Sequence, residues 1–247
     1  MEAARFHAHY GLQAEWLSSS RSYLYRKISL ARHEHILDLG CGSGVIAEEI
    51  RGICGRPVLG VDRDPAMVAF AEKEYPLNRF LAADENELLH QGLSFDLIIL
   101  SFVLMWQAKP ASFLKKIRKL LEKNGTLLIL AEPDYGGRID FPAELDFLKG
   151  IFTSHILAQK GDPFIGRKLN SLLSGSGWRS EVGLASHLHF PADFDPEAWR
   201  NEWRFWQELS GLPGLTVEKI LRLEKKAARL RQRLVLFPVF YAIARLP

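Results

Sequence analysis

The stretch Ile36-Leu-Asp38-Leu-Gly40-Cys-Gly42-Ser-Gly44 decides how the rest of the chain is read. A short apolar run enters a cluster of alternate glycines. Helical spacing then resumes from Val45 to Arg51, with Val45, Ile46 and Ile50 apolar and Glu48, Glu49 and Arg51 polar. Glycines let the backbone turn sharply there and approach a ligand closely.

The same alternation continues outward. Pro57 to Asp62 reads as a second strand and Pro65 to Glu74 as a helix with proline in its first turn. Arg79 to Asp84 is a third strand. Phe95 to Ser101 is a fourth, almost wholly apolar, as a strand buried on both faces should be. Lys109 to Leu121 is a basic amphipathic helix and Gly125 to Ala131 a fifth strand. Strands separated by helices at this interval imply right-handed βαβ crossovers and a parallel sheet covered on both sides. Residues 1–34 read as helical. Helices are expected at 141–160 and 166–174, a strand at Trp178–Phe190, helices at Pro196–Leu209 and Val217–Arg233, and a last strand at Leu234–Arg245.

Composition narrows the class. The chain has 247 residues, 47% of them hydrophobic, enough to bury a sizeable core, so intrinsic disorder is excluded. Two cysteines are too few for a disulfide scaffold or a four-cysteine zinc site. A net charge of +3 is mild, and a nucleic-acid partner is not expected from it. The N-terminus lacks the apolar stretch of a signal peptide, and no apolar run reaches membrane-spanning length. A cytoplasmic protein without a membrane segment is the expectation.

What can the glycine loop hold? The dinucleotide fingerprint G-x-G-x-x-G fails, because the third glycine is at 44 and position 45 is valine. A P-loop fails too, since no Lys-Ser/Thr pair follows Gly44. Asp38 would repel a pyrophosphate but attract an ammonium group. Asp62 ends the second strand, where a carboxylate can accept from both hydroxyls of a ribose. Asp84 ends the third and could accept from the exocyclic amine of adenine. A ribose, an adenine, a cationic tail and no phosphate describe S-adenosylmethionine. The competing reading is that these carboxylates merely cap the helices that follow.

The motifs Asp38-Leu-Gly-Cys-Gly-Ser-Gly44, Val61-Asp62, Ala83-Asp84 and Ser94-Phe-Asp-Leu-Ile-Ile-Leu100 strongly resemble those of class I S-adenosylmethionine-dependent methyltransferases. The resemblance covers roughly residues 35–131. Val103-Leu-Met-Trp106 looks like the small-molecule enzymes of the ubiquinone and biotin biosynthesis type, and Glu132-Pro-Asp-Tyr-Gly-Gly-Arg138 resembles a group of prokaryotic methyltransferases. The implied fold is α/β: a doubly wound, seven-stranded, mostly parallel sheet of order 3-2-1-4-5-7-6. One domain over 1–247 is expected, with a helical cap at 1–34, a cofactor-binding core at 35–131 and a helical lid insertion at 192–233.

The resemblance also implies a cofactor set. Asp38, Gly40 and Gly42 would hold the methionine end, Asp62 the ribose, and Arg63 would flank the adenine, with Cys41 and Met67 also in the cofactor-binding set. Asp84 would contact the adenine N6, with the Glu85 backbone N–H beside it. Ser101 and Phe102 would lie under the methionine portion and Trp106 would face the transferred methyl group. Tyr10, Gln13, Trp16 and Arg21 could close over the cofactor, with Arg21 reaching its carboxylate; ordinary packing is the alternative.

Other constellations carry less. Small size explains Cys41 as well as a nucleophile would. The His-x-His pairs at His7/His9, His33/His35 and His187/His189 lack further ligands at zinc spacing, so no metal site is expected. Glu132, Asp134 and Tyr135 follow the fifth strand and are candidates for proton transfer, although Pro133-Asp134 and Gly136-Gly137 are also ordinary turn formers. Trp199, Trp203 and Trp206 share one helical face, either core or the wall of an apolar substrate pocket. Lys219, Arg222, Lys225, Lys226, Arg229, Arg231 and Arg233 form a basic run that reads first as a solvated face.

The expected function is methyl transfer from S-adenosylmethionine to an O, N or C nucleophile of a small molecule, leaving S-adenosylhomocysteine. The alternatives are methylation of RNA or protein, and a non-catalytic cofactor-binding protein. Methyl transfer from a sulfonium chiefly requires alignment and exclusion of water, so no universal catalytic residue is expected.

Overall fold

The computed structural model describes residues 2–185, 200, 203–205, 207 and 214–247. The chain divides into two compact units, one of residues 1–133, 165–185 and 239–247, the other of 134–164 and 186–238.

The first unit is built on a seven-stranded sheet. Strands β1 (Ile36–Leu39), β2 (Leu59–Asp62), β3 (Arg79–Ala82), β4 (Phe95–Ser101) and β5 (Leu121–Pro133) run parallel, and β7 (Arg179–Leu184) and β9 (Val239–Arg245) close it as an antiparallel pair. The order is β3-β2-β1-β4-β5-β9-β7; counted along the chain within this sheet, that is 3-2-1-4-5-7-6, as expected. Strands β6 (Ile139–Phe141) and β8 (Leu234–Leu236) pair only with each other.

β1 is buried along its whole length, and four consecutive residues of β4, Leu97 to Leu100, are fully enclosed. A strand covered on both sides reads as a continuous apolar run rather than an alternating one. The crossovers are helices α3 (Val45–Cys54), α4 (Pro65–Glu74), α5 (Glu85–His90) and α6 (Pro110–Ile117). α3 buries Ala47 and Ile50. α4 starts at Asp64, whose side chain accepts from the Ala66 N–H, followed by Pro65. α5 starts in a capping box between Asp84 and Glu87. Two N-terminal helices, α1 (Glu2–Trp16) and α2 (Ser18–Lys27), precede β1, and α1 packs against α3 and α4. Helix α8 (Ile165–Gly175) packs on β5, β7 and β9.

The second unit holds α7 (Leu148–Ala158), the β6–β8 pair and α9 (Gly214–Arg229). Asp140 on β6, Glu224 on α9 and Arg233 before β8 are all buried. Arg233 binds Glu224 with two nitrogens at 2.5 and 3.0 Å and Asp140 at 2.6 Å, while Arg138 binds Asp140 at 2.6 and 3.0 Å. Paired in this way, the buried charges satisfy one another.

Two sequence readings are corrected. The strand expected at Leu234–Arg245 is two strands in different sheets, because Pro238 lacks the N–H that a continuous ladder needs. The helix expected to Leu121 ends at Ile117; Leu121 opens β5, which reaches on to Pro133. Much of the 192–233 insertion, with the Pro196–Leu209 helix, His187, His189, Trp199 and Trp206, lies outside the described residues. Trp203 is buried against Phe152, ring centroids 5.9 Å apart, and is core.

Candidate functional site

The parallel strands bring their carboxyl ends to one edge of the sheet. Strand order reverses there between β1 and β4, which leaves a crevice for a ligand. Asp38 sits on β1, in register with Gly60 of β2 and Ile99 of β4. Its side chain is 1% exposed. One carboxylate oxygen, Oδ2, has no hydrogen-bond partner. Burial, and secondarily the Asp62 charge, push this carboxyl up to about 7 against a backbone N–H from Ala47. An enclosed acceptor without a donor is costly unless a ligand completes it.

The loop after Asp38 is held by β2. Gly40 and Cys41 donate their N–H groups to the Val61 carbonyl at 2.7 and 3.0 Å. Gly42 donates to Asp62 Oδ2 at 2.8 Å, while Asp62 Oδ1 accepts from the Asp64 N–H at 3.0 Å. Gly40 has φ +81° and a Cβ there would lie 2.5 Å from Val103 Cγ2; Gly42 has φ +51° and a Cβ would meet the Tyr10 ring at 3.0 Å. Only glycine fits both the left-handed backbone and this close approach. Cys41 is buried, which raises its thiol well above the ordinary range, so a nucleophilic role has no support.

The two flanking aspartates differ. Asp62 caps no helix: Asp64 caps α4, and each Asp62 oxygen carries one backbone donor, which leaves acceptor capacity for a ribose. Asp84 does cap α5, accepting from the Asn86 and Glu87 N–H groups and from the Asn86 amide. The capping reading therefore holds for Asp84. Glu85 beside it is buried and binds Arg63 at 2.9 Å and Lys116 of α6 at 3.0 Å, which hold its carboxyl below the usual range against burial. Lys116 gave no sequence signal, since its partner is far away in the chain. Met67 is buried on α4.

Ser101 ends β4, and Phe102 follows with φ +56°. A bulky residue in the left-handed region costs on the order of 1–3 kcal/mol, and such residues cluster at functional sites. No local pattern in the sequence announces it. Trp106, in a short turn over Leu104–Trp106, is 43% exposed.

The N-terminal helices meet the loop. His7 lies 3.0 Å from the Ser43 hydroxyl, and Tyr10 stands over Gly42, its hydroxyl pushed up to about 12 by burial and then by the charges of Asp62 and Asp64. Gln13 pairs with His9, and Trp16 is largely exposed. Arg21 is committed elsewhere. Its guanidinium binds both oxygens of Glu49, at 2.9 and 2.6 Å, and the Ala14 carbonyl at 2.5 Å, so Glu49 is the carboxylate it meets here.

The three proton-transfer candidates are divided between the two units. Glu132 belongs to the sheet unit, is 0% exposed, and accepts from the N–H groups of Val103, Leu104 and Met105 at 3.0, 2.7 and 3.2 Å. Burial pushes its carboxyl up to about 8 against these donors. Asp134 and Tyr135 belong to the second unit, where the Tyr135 ring stacks with Phe152 and Phe237 at 5.8 and 4.7 Å. Among the described residues, no group of three or more His, Cys, Asp or Glu side chains could hold a metal ion, and no helix is long and apolar enough to cross a membrane.

Comparison with known proteins agrees with this geometry. Residues 37–129 match the family described as methyltransferase domain. The chain is 28% identical over 115 residues to a putative methyltransferase, 235L, of Invertebrate iridescent virus 6, an overlap of 46% of this chain and 42% of that protein. It is 26% identical over 120 residues to the demethylmenaquinone methyltransferase of Chlorobaculum tepidum, covering 49% and 50% of the two chains. The chain thus spans about half or less of the curated relatives it matches. Among solved structures, the plantazolicin methyltransferase BpumL with S-adenosylhomocysteine shares the fold at a TM-score of 0.58, with 16% identity and coverage of 94% and 84%. Residues 37–129 thus match a methyltransferase domain, and the sheet they help build has the class I methyltransferase fold.

Proposed function

We propose that this chain transfers a methyl group from S-adenosylmethionine to an oxygen, nitrogen or carbon nucleophile of a small molecule. The observation that best supports the reading is the unpartnered, enclosed Asp38 Oδ2 at the glycine loop, which suits an ammonium group. When bound, the cofactor supplies an electrophilic methyl whose leaving group departs neutral. In this reading, Gly40 and Gly42 let the loop approach the methionine end and Asp62 offers its remaining lone pairs to the ribose hydroxyls. Glu85 holds Arg63 in place on the adenine side. Ser101 and Phe102 form the floor, and Trp106 stands toward the acceptor. The chain's contribution is then alignment and exclusion of water, with no obligatory general base.

Relatives named as demethylmenaquinone and trans-aconitate methyltransferases are consistent with a small acceptor. The test is to incubate the protein with methyl-labelled cofactor and a fractionated cell extract. Label in the metabolite fraction is expected; label confined to RNA or protein would overturn the small-molecule assignment.

One observation favours a second reading, methylation of RNA. On α9, Arg222, Lys225, Lys226 and Arg229 are exposed, no ion pair of theirs is seen among the described residues, and Glu224, an acid of the same helix, is buried against Arg233. Such a face can neutralise phosphates. RNA binding that weakens steeply between low and physiological salt, with label in RNA, would establish it.

A further inference from the structure

Glu132 lies at the end of β5 with its carboxylate enclosed, and all three of its donors are consecutive backbone N–H groups of the turn that follows β4. That turn begins at Phe102, held at φ +56° with its own N–H on the Ala131 carbonyl at 2.8 Å. Val103, the first of the three donors, sets its Cγ2 where a side chain on Gly40 would start. Behind Glu132, helix α8 approaches so closely that a Cβ on Gly166 would lie 2.7 Å from the Glu132 carbonyl oxygen. The Glu132 backbone is therefore packed against α8, while its carboxylate grips the turn after β4. A general base needs an approach for the substrate proton within hydrogen-bond reach. With no exposed surface and both oxygens on backbone donors, Glu132 offers none.

We propose that Glu132 is a positioning residue: by holding the N–H groups of 103–105 it fixes Phe102 in its left-handed conformation and seats Val103 against Gly40, which sets the shape of the cofactor loop. The inference rests on the cofactor reading above for its ligand, but the mechanical link from Glu132 to the loop does not. Replacing the acceptor by an amide turns an N–H₂ toward backbone N–H groups, a repulsive contact in an enclosed site. The strained Phe102 backbone then relaxes, and the loop loses the wall that Val103 provides.

The experiment is Glu132→Gln, read by calorimetry with S-adenosylhomocysteine and by amide hydrogen exchange. The expected result is a rise in Kd of about ten- to a hundredfold, the size of leaving an enclosed backbone donor unsatisfied. Deuterium uptake is expected to increase both in 102–106 and in 39–44. A folded E132Q that binds as tightly as the unaltered chain, or whose exchange changes only in 102–106, overturns the proposal; the first outcome is what a proton-transfer role predicts. If the unaltered chain binds no S-adenosylhomocysteine, the cofactor reading fails, and uptake in 39–44 still decides the positioning role. Should E132Q not fold, Val103→Ala keeps the three hydrogen bonds and removes the wall. It is expected to weaken binding and loosen 39–44, and unchanged binding would equally overturn the proposal.

Discussion

Asp62 Oδ2 accepts the Gly42 N–H at 2.8 Å, so the carboxylate that ends β2 holds the glycine loop that follows β1. The side chain thereby shapes the loop, and in the proposed function its remaining acceptor capacity serves the ribose. Asp62→Ala should lose both, raising the Kd for S-adenosylhomocysteine about tenfold or more while leaving the sheet folded. Titration calorimetry with a circular-dichroism control checks this. Asp62→Asn can still accept from one backbone donor and should fall between the two.

The state of Asp38 gives cofactor binding a pH dependence. Its carboxyl is pushed up to about 7, so the free protein carries a proton there under mildly acidic conditions. An ammonium ligand favours the ionised form, so binding must release that proton. Affinity is expected to rise with pH up to about 7 and level off above it, with a limiting slope of about one decade per pH unit. The sign for folding is the reverse: the folded state holds the proton more tightly than the unfolded chain, so this group's contribution to stability is full below about 4 and declines as pH rises toward 7. Calorimetry in buffers of different ionisation enthalpy should detect proton release at pH 6. Its absence, or its survival in Asp38→Asn, would contradict the assignment.

Gly40→Ala combines a left-handed backbone with a Cβ 2.5 Å from Val103 Cγ2. The backbone penalty alone is about 1–2 kcal/mol, and the clash adds to it. A clear drop in Tm is expected. Val103→Ala in the same chain should recover only the part due to the clash, because the φ penalty stays. Full recovery would show that the backbone conformation costs nothing there.

Removing Arg233 leaves Glu224 and Asp140 buried with less countercharge. Breaking a buried pair from one side costs about 3–5 kcal/mol. Arg233→Met should therefore destabilise the second unit, seen as faster hydrogen exchange in 214–236, with the 36–62 segment unchanged. Equal loss of protection in both segments would mean that the two units unfold as one.

The βα alternation from Ile36 to Ala131 was legible because the strands there are apolar runs, and those of β1, β2 and β3 are closed by glycine or an acidic residue, signals that are local. Asp38, Asp62 and the glycine loop were legible for the same reason: a parallel sheet carries every residue at a strand's carboxyl end to one edge, so position in the chain predicts position in space. Beyond Ala131 one expected strand is interrupted at Pro238, and the pairing of β6 with β8 joins segments remote in sequence, so local pattern no longer specified the ladder.

What the sequence determined by itself was thus the architecture and which residues stand at the carboxyl ends of the first strands, since both follow from periodicity and local turn signals. Only the tertiary structure decided what each charged side chain is paired with. Arg21 answers Glu49, Asp84 caps the helix that follows it, and Glu132 grips the turn after β4. The physical reason is that a carboxylate's role depends on its donors and its burial, and with partners as distant in sequence as Glu132 and Leu104 these exist only once the chain has folded.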